Sequence, residues 1–269
     1  MQSIIFGIHK ASRLSRNISL FILLLAGSVP IASAQNKAVR SGEKFVYAAS
    51  YNMSGLMTQL AQVTMATETI KTSKNTLLHL SCEAATFSKW DTFFKIRDTY
   101  ESYVNTVTLK SSLYKRNILE GQYTKKEKYI FKNGGRIIES TVSKKGKPET
   151  KKTFAVSGST QDAIATLYQL RNVDFSQFKS GQIKTFTVIF DEKEMTVAAK
   201  FMGKETIAAG NLGKRECYKV SIAAKTQALK GIDKNILWLT ADNARVPALI
   251  KFSIPVGTGQ LTLTNASGL

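Results

Sequence analysis

The chain has 269 residues, 43% of them hydrophobic, with Lys+Arg 38 against Asp+Glu 19 for a formal net charge of +19. That apolar share excludes a disordered polyelectrolyte and suffices for one large core, and the basic excess favours anionic surfaces such as lipid headgroups, lipopolysaccharide or acidic glycans. Nucleic acid is the other common partner of basic proteins, but the sequence carries no recognisable nucleic-acid motif and opens as an exported chain does.

Residues 1–34 read as a secretory leader. Lys10, Arg13 and Arg16 form a positive segment, and Ile18 to Ala26 is an apolar run too short for the roughly 20 residues of a bilayer span. Ala32-Ser33-Ala34 supplies small residues for cleavage before Gln35. Leu25-Ala26-Gly27 resembles the start of a lipoprotein box, but Ser28 stands where a cysteine would take the lipid. Arg13 and Arg16 are separated, which favours the general secretion route over the twin-arginine one. The expected product is a soluble, non-lipidated periplasmic protein with a single β-rich domain over 35–269.

From Glu43 the pattern is of strands. Phe45, Tyr47, Ala49 and Tyr51 alternate with Lys44, Val46, Ala48 and Ser50, and Ala61, Val63 and Met65 resume the period of two. Leu78, Leu80 and Cys82 face one way and His79 the other. Residues 90–103 hold the densest aromatic and charged cluster, including Trp90, Phe93, Phe94, Tyr100 and Tyr103. Tyr123, Tyr129 and Phe131 alternate with lysines up to Asn133-Gly134-Gly135, a hairpin turn suited to positive φ. Lys144 to Lys152 reads as a solvated lysine-rich loop tip, its lysines either guarding a hairpin from edge pairing or contacting a membrane or glycan.

One stretch breaks the pattern. Ser159 to Arg171 predicts a helix, with Ser159 or Thr160 as cap, Asp162 at the positive end of the dipole, and Ile164, Leu167 and Tyr168 on one face. Strands follow around Phe186–Phe190, Met195–Phe201 and Tyr218–Ile222, then a break at Lys230 to Asp233. Trp238 opens another strand, Pro247 marks a strand start or an edge, and Leu261 and Leu263 lie in the last one. About a dozen strands with short turns predict a mainly β protein: one large curved antiparallel sheet, a half-barrel or incomplete barrel, with the helix packed on or over its concave face.

Four stretches in order carry a resemblance: Gly42-Glu43-Lys44-Phe45-Val46-Tyr47, Phe93 to Tyr103, Leu167-Tyr168-x-Leu170-Arg171, and Leu237-Trp238-Leu239 with Asp242, Arg245 and Pro247. Together they resemble domain-of-unknown-function family 3108, a group of exported bacterial proteins, over most of residues 42–263. The resemblance implies an antiparallel β architecture in the cell envelope and brings no activity or catalytic residues.

The chemistry-bearing residues point away from catalysis. No G-x-S-x-G surrounds a serine, and His79 is the one histidine beyond the leader. Ser112 and Lys115 match a Ser-Lys spacing without its companion motifs, and Gly210-x-x-Gly213-Lys214 has the wrong spacing for a phosphate loop. Two distant cysteines and one histidine are a poor zinc supply. Cys82 and Cys217 are read either as a disulfide or as two separate buried thiols. Asp91, Asp98 and Glu101 sit among aromatics as in a sugar-cleaving cleft, a glycoside hydrolase reading centred on Asp98 and Glu101, while the interleaved Lys89, Lys95 and Arg97 would satisfy them as ion pairs.

The expected function is therefore binding without catalysis, cofactor or metal. A curved sheet lidded by a helix would take an apolar or amphiphilic ligand, such as lipid or lipoprotein, against Tyr47, Phe94, Tyr100, Tyr103, Ile164, Leu167, Tyr168 and Trp238. The alternative is a basic protein docking on anionic envelope components. A monomer is expected in either case.

Overall fold

The alternation of large apolar and polar side chains becomes one continuous sheet in the computed structural model, which describes residues 35–53, 55–73, 75–224, 235–254 and 257–269. The leader and the break at 230–233 lie outside the described residues. In chain order the strands are β1 (Lys44–Met53), β2 (Leu56–Lys71), β3 (Thr76–Thr86), β4 (Arg97–Asn105), β5 (Ser111–Glu120), β6 (Tyr123–Lys132), β7 (Ile137–Lys144) and β8 (Lys147–Ala155). After them come β9 (Gln161–Asp162), β10 (Ile183–Phe190), β11 (Lys193–Ala208), β12 (Lys214–Ala224), β13 (Ile236–Thr240), β14 (Pro247–Ile254) and β15 (Gly257–Ser267). A single helical turn, α1 (Ser88–Asp91), precedes β4, and α2 (Ala163–Leu170) follows β9.

The sheet has 15 strands in the order β8-β7-β6-β5-β4-β3-β2-β1-β15-β14-β13-β12-β11-β10-β9. The first and last long strands, β1 and β15, pair antiparallel at its centre, Tyr47 opposite Leu263. The expectation of an antiparallel meander holds except at one end, where β9 pairs parallel with β10 through Gln161 and Asp162. Between β1 and β8 the connections β1–β2, β3–β4, β5–β6 and β7–β8 lie along one edge of the sheet, called the upper rim below.

Two local readings change and one open alternative closes. The lysine-rich stretch is not a loop: only the turn after Lys144 is irregular, and Lys147–Ala155 forms β8, the exposed end strand of the order. Lysines on such an edge oppose pairing with another chain. The helix starts later than expected, because Gln161 and Asp162 are drawn into β9, and its cap is Asp162, whose side chain accepts from the Ala165 amide. Lastly, Cys82 and Cys217 are both free thiols. They lie on β3 and β12, with β2, β1, β15, β14 and β13 between them at about 4.8 Å per strand, and they point to opposite faces of the sheet. Burial pushes the Cys82 thiol up to about 12 and the Cys217 thiol to about 11, so both stay protonated and unreactive.

The sheet curls until its two ends meet on the inner face. Ser111 on β5 donates from its amide and hydroxyl to Gln161 Oε1 at 2.7 and 3.0 Å, tying β5 to β9. The tip of the β10–β11 hairpin, Asp191-Glu192, reaches β5 to β8. Asp191 pairs with Arg116 and with Lys125 Nζ at 2.6 Å, and Glu192 accepts from Ser140 Oγ at 2.7 Å and pairs with Lys152 at 2.5 Å. Burial alone would raise Asp191, but hydrogen bonds from Lys125 and Arg116 hold it below the usual carboxylate range. Both tip residues have positive φ, 49° and 60°, which Asn-Gly would adopt with less strain. Carboxylates stand there because Arg116, Lys125 and Lys152 face them.

Candidate functional site

Helix α2 lies on the inner face and is anchored at both ends. At its start the Asp162 carboxylate is fully buried, accepting from Ser102 Oγ and Ser111 Oγ at 2.6 Å each and from the Ala165 amide at 2.8 Å. Burial raises its pKa and these donors pull against the rise. At its end the Arg171 guanidinium, also fully buried, grips Glu43 with Nη1 at 2.7 Å and Nη2 at 3.0 Å, donates to the Ala244 carbonyl at 2.8 Å, and lies over the Phe45 and Tyr168 rings. Three of the four stretches that carry the resemblance meet at this guanidinium: Glu43-Phe45, Tyr168-Arg171 and the β13–β14 turn. Asp242 shapes that turn by accepting from the amides of Ala244 and Arg245.

So fixed, α2 divides the inner face in two. Toward β1–β7 its side chains complete a packed core: Ile164, Ala165 and Tyr168 join Phe45, Tyr47, Met65, Leu80 and Tyr129. The Tyr168 hydroxyl meets Thr67 Oγ1 at 3.3 Å, which ties the helix to β2. Toward β10–β14, Leu170 packs with Phe175, Phe201 and Tyr218 in a second cluster, and beside it the packing stops short. Leu167 and Leu170 face Phe186, Ala199, Ile222, Leu237 and Ile250 across a cavity of about 290 Å³, partly open and almost wholly apolar in its walls. The polar lining residues are Thr166, Lys251 and Asn235, the last at the rim end of β13. Asn235 Oδ1 accepts from the Ser253 amide at 3.0 Å, while its buried Nδ2 has no hydrogen-bond partner among the described residues.

The eight expected ligand contacts are not brought together. Leu167 alone lines this cavity. Tyr47, Ile164 and Tyr168 are spent filling the core, with Tyr100 packed against it. Phe94 belongs to a second cavity of about 210 Å³ at the upper rim, shared with Tyr51, Leu60, Trp90, Phe93 and Ile96. Tyr103 and Trp238 project to the outer face, where Trp238 is buried in a cluster that includes Ala209, Cys217 and Ala248. There Tyr103 stacks on His79 with centroids 4.6 Å apart and donates to Glu101 Oε1 at 3.1 Å, and His79 Nε2 lies 3.0 Å from the same oxygen. The Trp238 ring is covered by the ammonium groups of Lys219 and Lys251 at 5.4 and 5.5 Å, and its Nε1 donates to Glu205 at 3.2 Å. Ile236-Leu237-Trp238-Leu239 carried a signal that points to Leu237: an unbroken apolar run marks a strand covered on both faces.

The same alternation separates the carboxylates considered for sugar cleavage. Asp98 is buried on the inner face, accepting from the Leu119 amide at 3.0 Å, and Glu101, three residues on, projects outward to His79. Two acids on opposite faces cannot flank one glycosidic bond. Burial raises Asp98 to about 6, with Glu120 reinforcing the rise against the Leu119 amide and Arg116. Asp91 is held low by its bonds to Arg97, at 2.6 Å from Nη2, and to Thr86. Ser112 and Lys115 likewise sit three apart on a strand and face opposite ways. Among the described residues no three His, Cys, Asp or Glu side chains cluster as metal ligands, and no helix is long and apolar enough to cross a membrane.

Comparison with known proteins speaks to the fold and the family. A beta-barrel-like protein of domain-of-unknown-function family DUF1849 from Brucella abortus is similar over 84% of this chain and 96% of its own, at 8% identity and a TM-score of 0.52. An exported-protein candidate with a YmcC-like fold from Bacteroides fragilis is similar over 85% of this chain and 96% of its own, at 8% identity and a TM-score of 0.31. At such identities the first likeness concerns architecture alone, and the second carries no weight. No curated protein matches the sequence. The model of the family described as "Protein of unknown function (DUF3108)" matches residues 46–264, spanning β1 to β15 and the helix between them, and the chain belongs to that family.

Proposed function

We propose that this is a non-catalytic, exported protein of the cell envelope that holds a single alkyl chain or small amphiphile in the cavity between α2 and β10–β14. The observation that carries the reading is the gap on one flank of the helix: a cavity of about 290 Å³ walled by Leu167, Leu170, Phe186, Leu237 and Ile250, opposite a flank where Ile164 and Tyr168 join the main core. Ligand pockets run from about 300 to 1,000 Å³, so this one suits one chain rather than a whole two-chain lipid. Each methylene buried there would contribute about 0.8 kcal/mol.

The unpartnered Asn235 Nδ2 favours an amphiphile over a pure hydrocarbon. A buried amide donor without a partner costs about 1–3 kcal/mol, and an oxygen on the ligand's head would recover it. On this reading α2 is the lid of the concave face, the leader directs the chain to the periplasm, and the protein acts as a monomer. The experiment is a native mass spectrum of the mature chain after gentle purification. The expected result is one co-purifying or exogenously loaded single-chain amphiphile, absent from Leu167→Trp, which fills the cavity. A wild-type chain that stays empty with added lauric acid contradicts the proposal.

A further inference from the structure

The upper rim bears a group of large apolar side chains that no described residue covers. Leu56 and Met57, at the start of β2, are 74% and 45% exposed; Phe93 and Phe94, between α1 and β4, are 79% and 47% exposed; Tyr123, at the start of β6, is 48% exposed. These belong to successive connections along one edge, and the contacts bind them into one surface. Trp90 Nε1 donates to the Gln59 carbonyl at 3.0 Å, seating α1 on β2. Phe94 lies against the β5–β6 turn so closely that a Cβ on Gly121 would sit 3.3 Å from its ring.

The charge around this group is basic. Lys89 and Lys95 are exposed within the α1 connection, and Lys144, Lys145 and Lys147 crowd the next turn along the rim. The acids near them are Asp91, which pairs with Arg97, Glu149, which pairs with Lys151, and Glu120. Exposed tips of Leu, Met, Phe and Tyr ringed by lysines match the two layers of an anionic bilayer: tips enter the acyl boundary while ammonium groups stay among the phosphates. A protein partner of matching shape would be expected to meet a flatter, less basic surface. A second copy of this chain would set these lysines against one another.

The cavity under α2 points the same way. Its walls come from the upper ends of their strands, with Ile222 near the end of β12, Asn235 and Ile236 at the start of β13, and Ile250 and Phe252 near the end of β14. Its one unpartnered polar atom lies at that end.

We infer that the upper rim is a docking edge for anionic membranes, inserting Leu56, Met57, Phe93, Phe94 and Tyr123 into the headgroup boundary beneath a ring of lysines. This inference stands without the cavity ligand. The test is flotation of the mature chain with vesicles of phosphatidylcholine alone and of phosphatidylcholine with phosphatidylglycerol, at low and high salt. Binding is expected on the anionic vesicles only and should weaken at high salt. Each surface lysine is worth about fivefold in partitioning, so Lys89→Glu with Lys95→Glu should lower it by well over tenfold. Leu56→Ser with Phe93→Ser should abolish the salt-resistant remainder, and both double variants should take up lauric acid as the wild type does, since neither touches the cavity under α2. Equal binding by wild type and both variants overturns the inference, as does a rim-dependent dimer in sedimentation velocity with no vesicle binding. A chain that binds vesicles through the rim yet takes up no amphiphile keeps this inference and removes only the cavity ligand.

Discussion

The two flanks of α2 present the same kind of side chain to the same face of the same sheet, and one of them is filled only in part. Toward β1–β7, Ile164 and Tyr168 meet aromatic residues from several strands, while the charged tip of the β10–β11 hairpin fills the upper part of that half. Toward β10–β14, Leu170 packs with Phe175, Phe201 and Tyr218 in a second cluster, but beside Leu167 the space toward Phe186, Ile222 and Ile250 stays open. A helix clamped by Asp162 at one end and Arg171 at the other cannot settle into that space to close it. The lesson is that the anchors, rather than the apolar face of the helix, decide where the cavity lies.

The largest effect should come from breaking an anchor. Arg171→Met leaves the Glu43 carboxylate buried and unpaired, and should cost about 3–5 kcal/mol in urea unfolding, while the double variant with Glu43→Leu should recover most of the loss. Next comes the filled flank: Ile164→Ala should cost about 2–4 kcal/mol, because the packed neighbours cannot collapse into the gap. On the open flank, Leu167→Ala enlarges a cavity that already exists and should cost about 1 kcal/mol. Equal losses for Ile164→Ala and Leu167→Ala would erase the contrast between the flanks.

The smallest effect concerns Asp98, and its sign is opposite to that of most carboxylates. Its folded pKa of about 6 lies above the unfolded value of about 3.9, so the folded state binds the proton more tightly. That contribution to stability is complete below about pH 4 and lost as the pH rises through about 6. Asp98→Asn keeps an acceptor for the Leu119 amide and should flatten the pH dependence of stability between pH 4 and 6, by on the order of 1 kcal/mol, with the variant the more stable at pH 7. Wild type and Asp98→Asn with the same pH dependence of stability between pH 4 and 6 would show that Asp98 is not held protonated.

Much of this architecture was legible from alternation alone. The period of two around Tyr47, Met65, Leu80 and Tyr129 assigned the inner face correctly, and the interruption at 159–171 marked the helix within a few residues. The helix start was missed because Gln161 and Asp162 are chosen by tertiary partners, Ser102 and Ser111, that lie far away in sequence. The site was less legible. Aromatic residues drew attention, yet Tyr47 and Tyr168 pack the core, while Tyr103 and Trp238 are spent on the outer face under lysines or against histidine. Which aromatic meets a void depends on how two distant halves of the sheet are spaced by α2, and spacing of that kind leaves no mark in local pattern. The buried pairs Arg171–Glu43 and Arg116–Glu127, the latter 2.8 Å between Nη2 and Oε2, were equally hidden, since charge in a strand pattern reads as solvated.

The most direct test of the cavity is titration of the mature chain with an environment-sensitive alkyl probe, dansyl-undecanoic acid, in wild type, Leu167→Trp and Tyr103→Ala. A cavity under α2 predicts saturable fluorescence enhancement at one site per chain, abolished by Leu167→Trp and unchanged by Tyr103→Ala. Enhancement that survives Leu167→Trp, or that is absent from the wild type, would contradict the account.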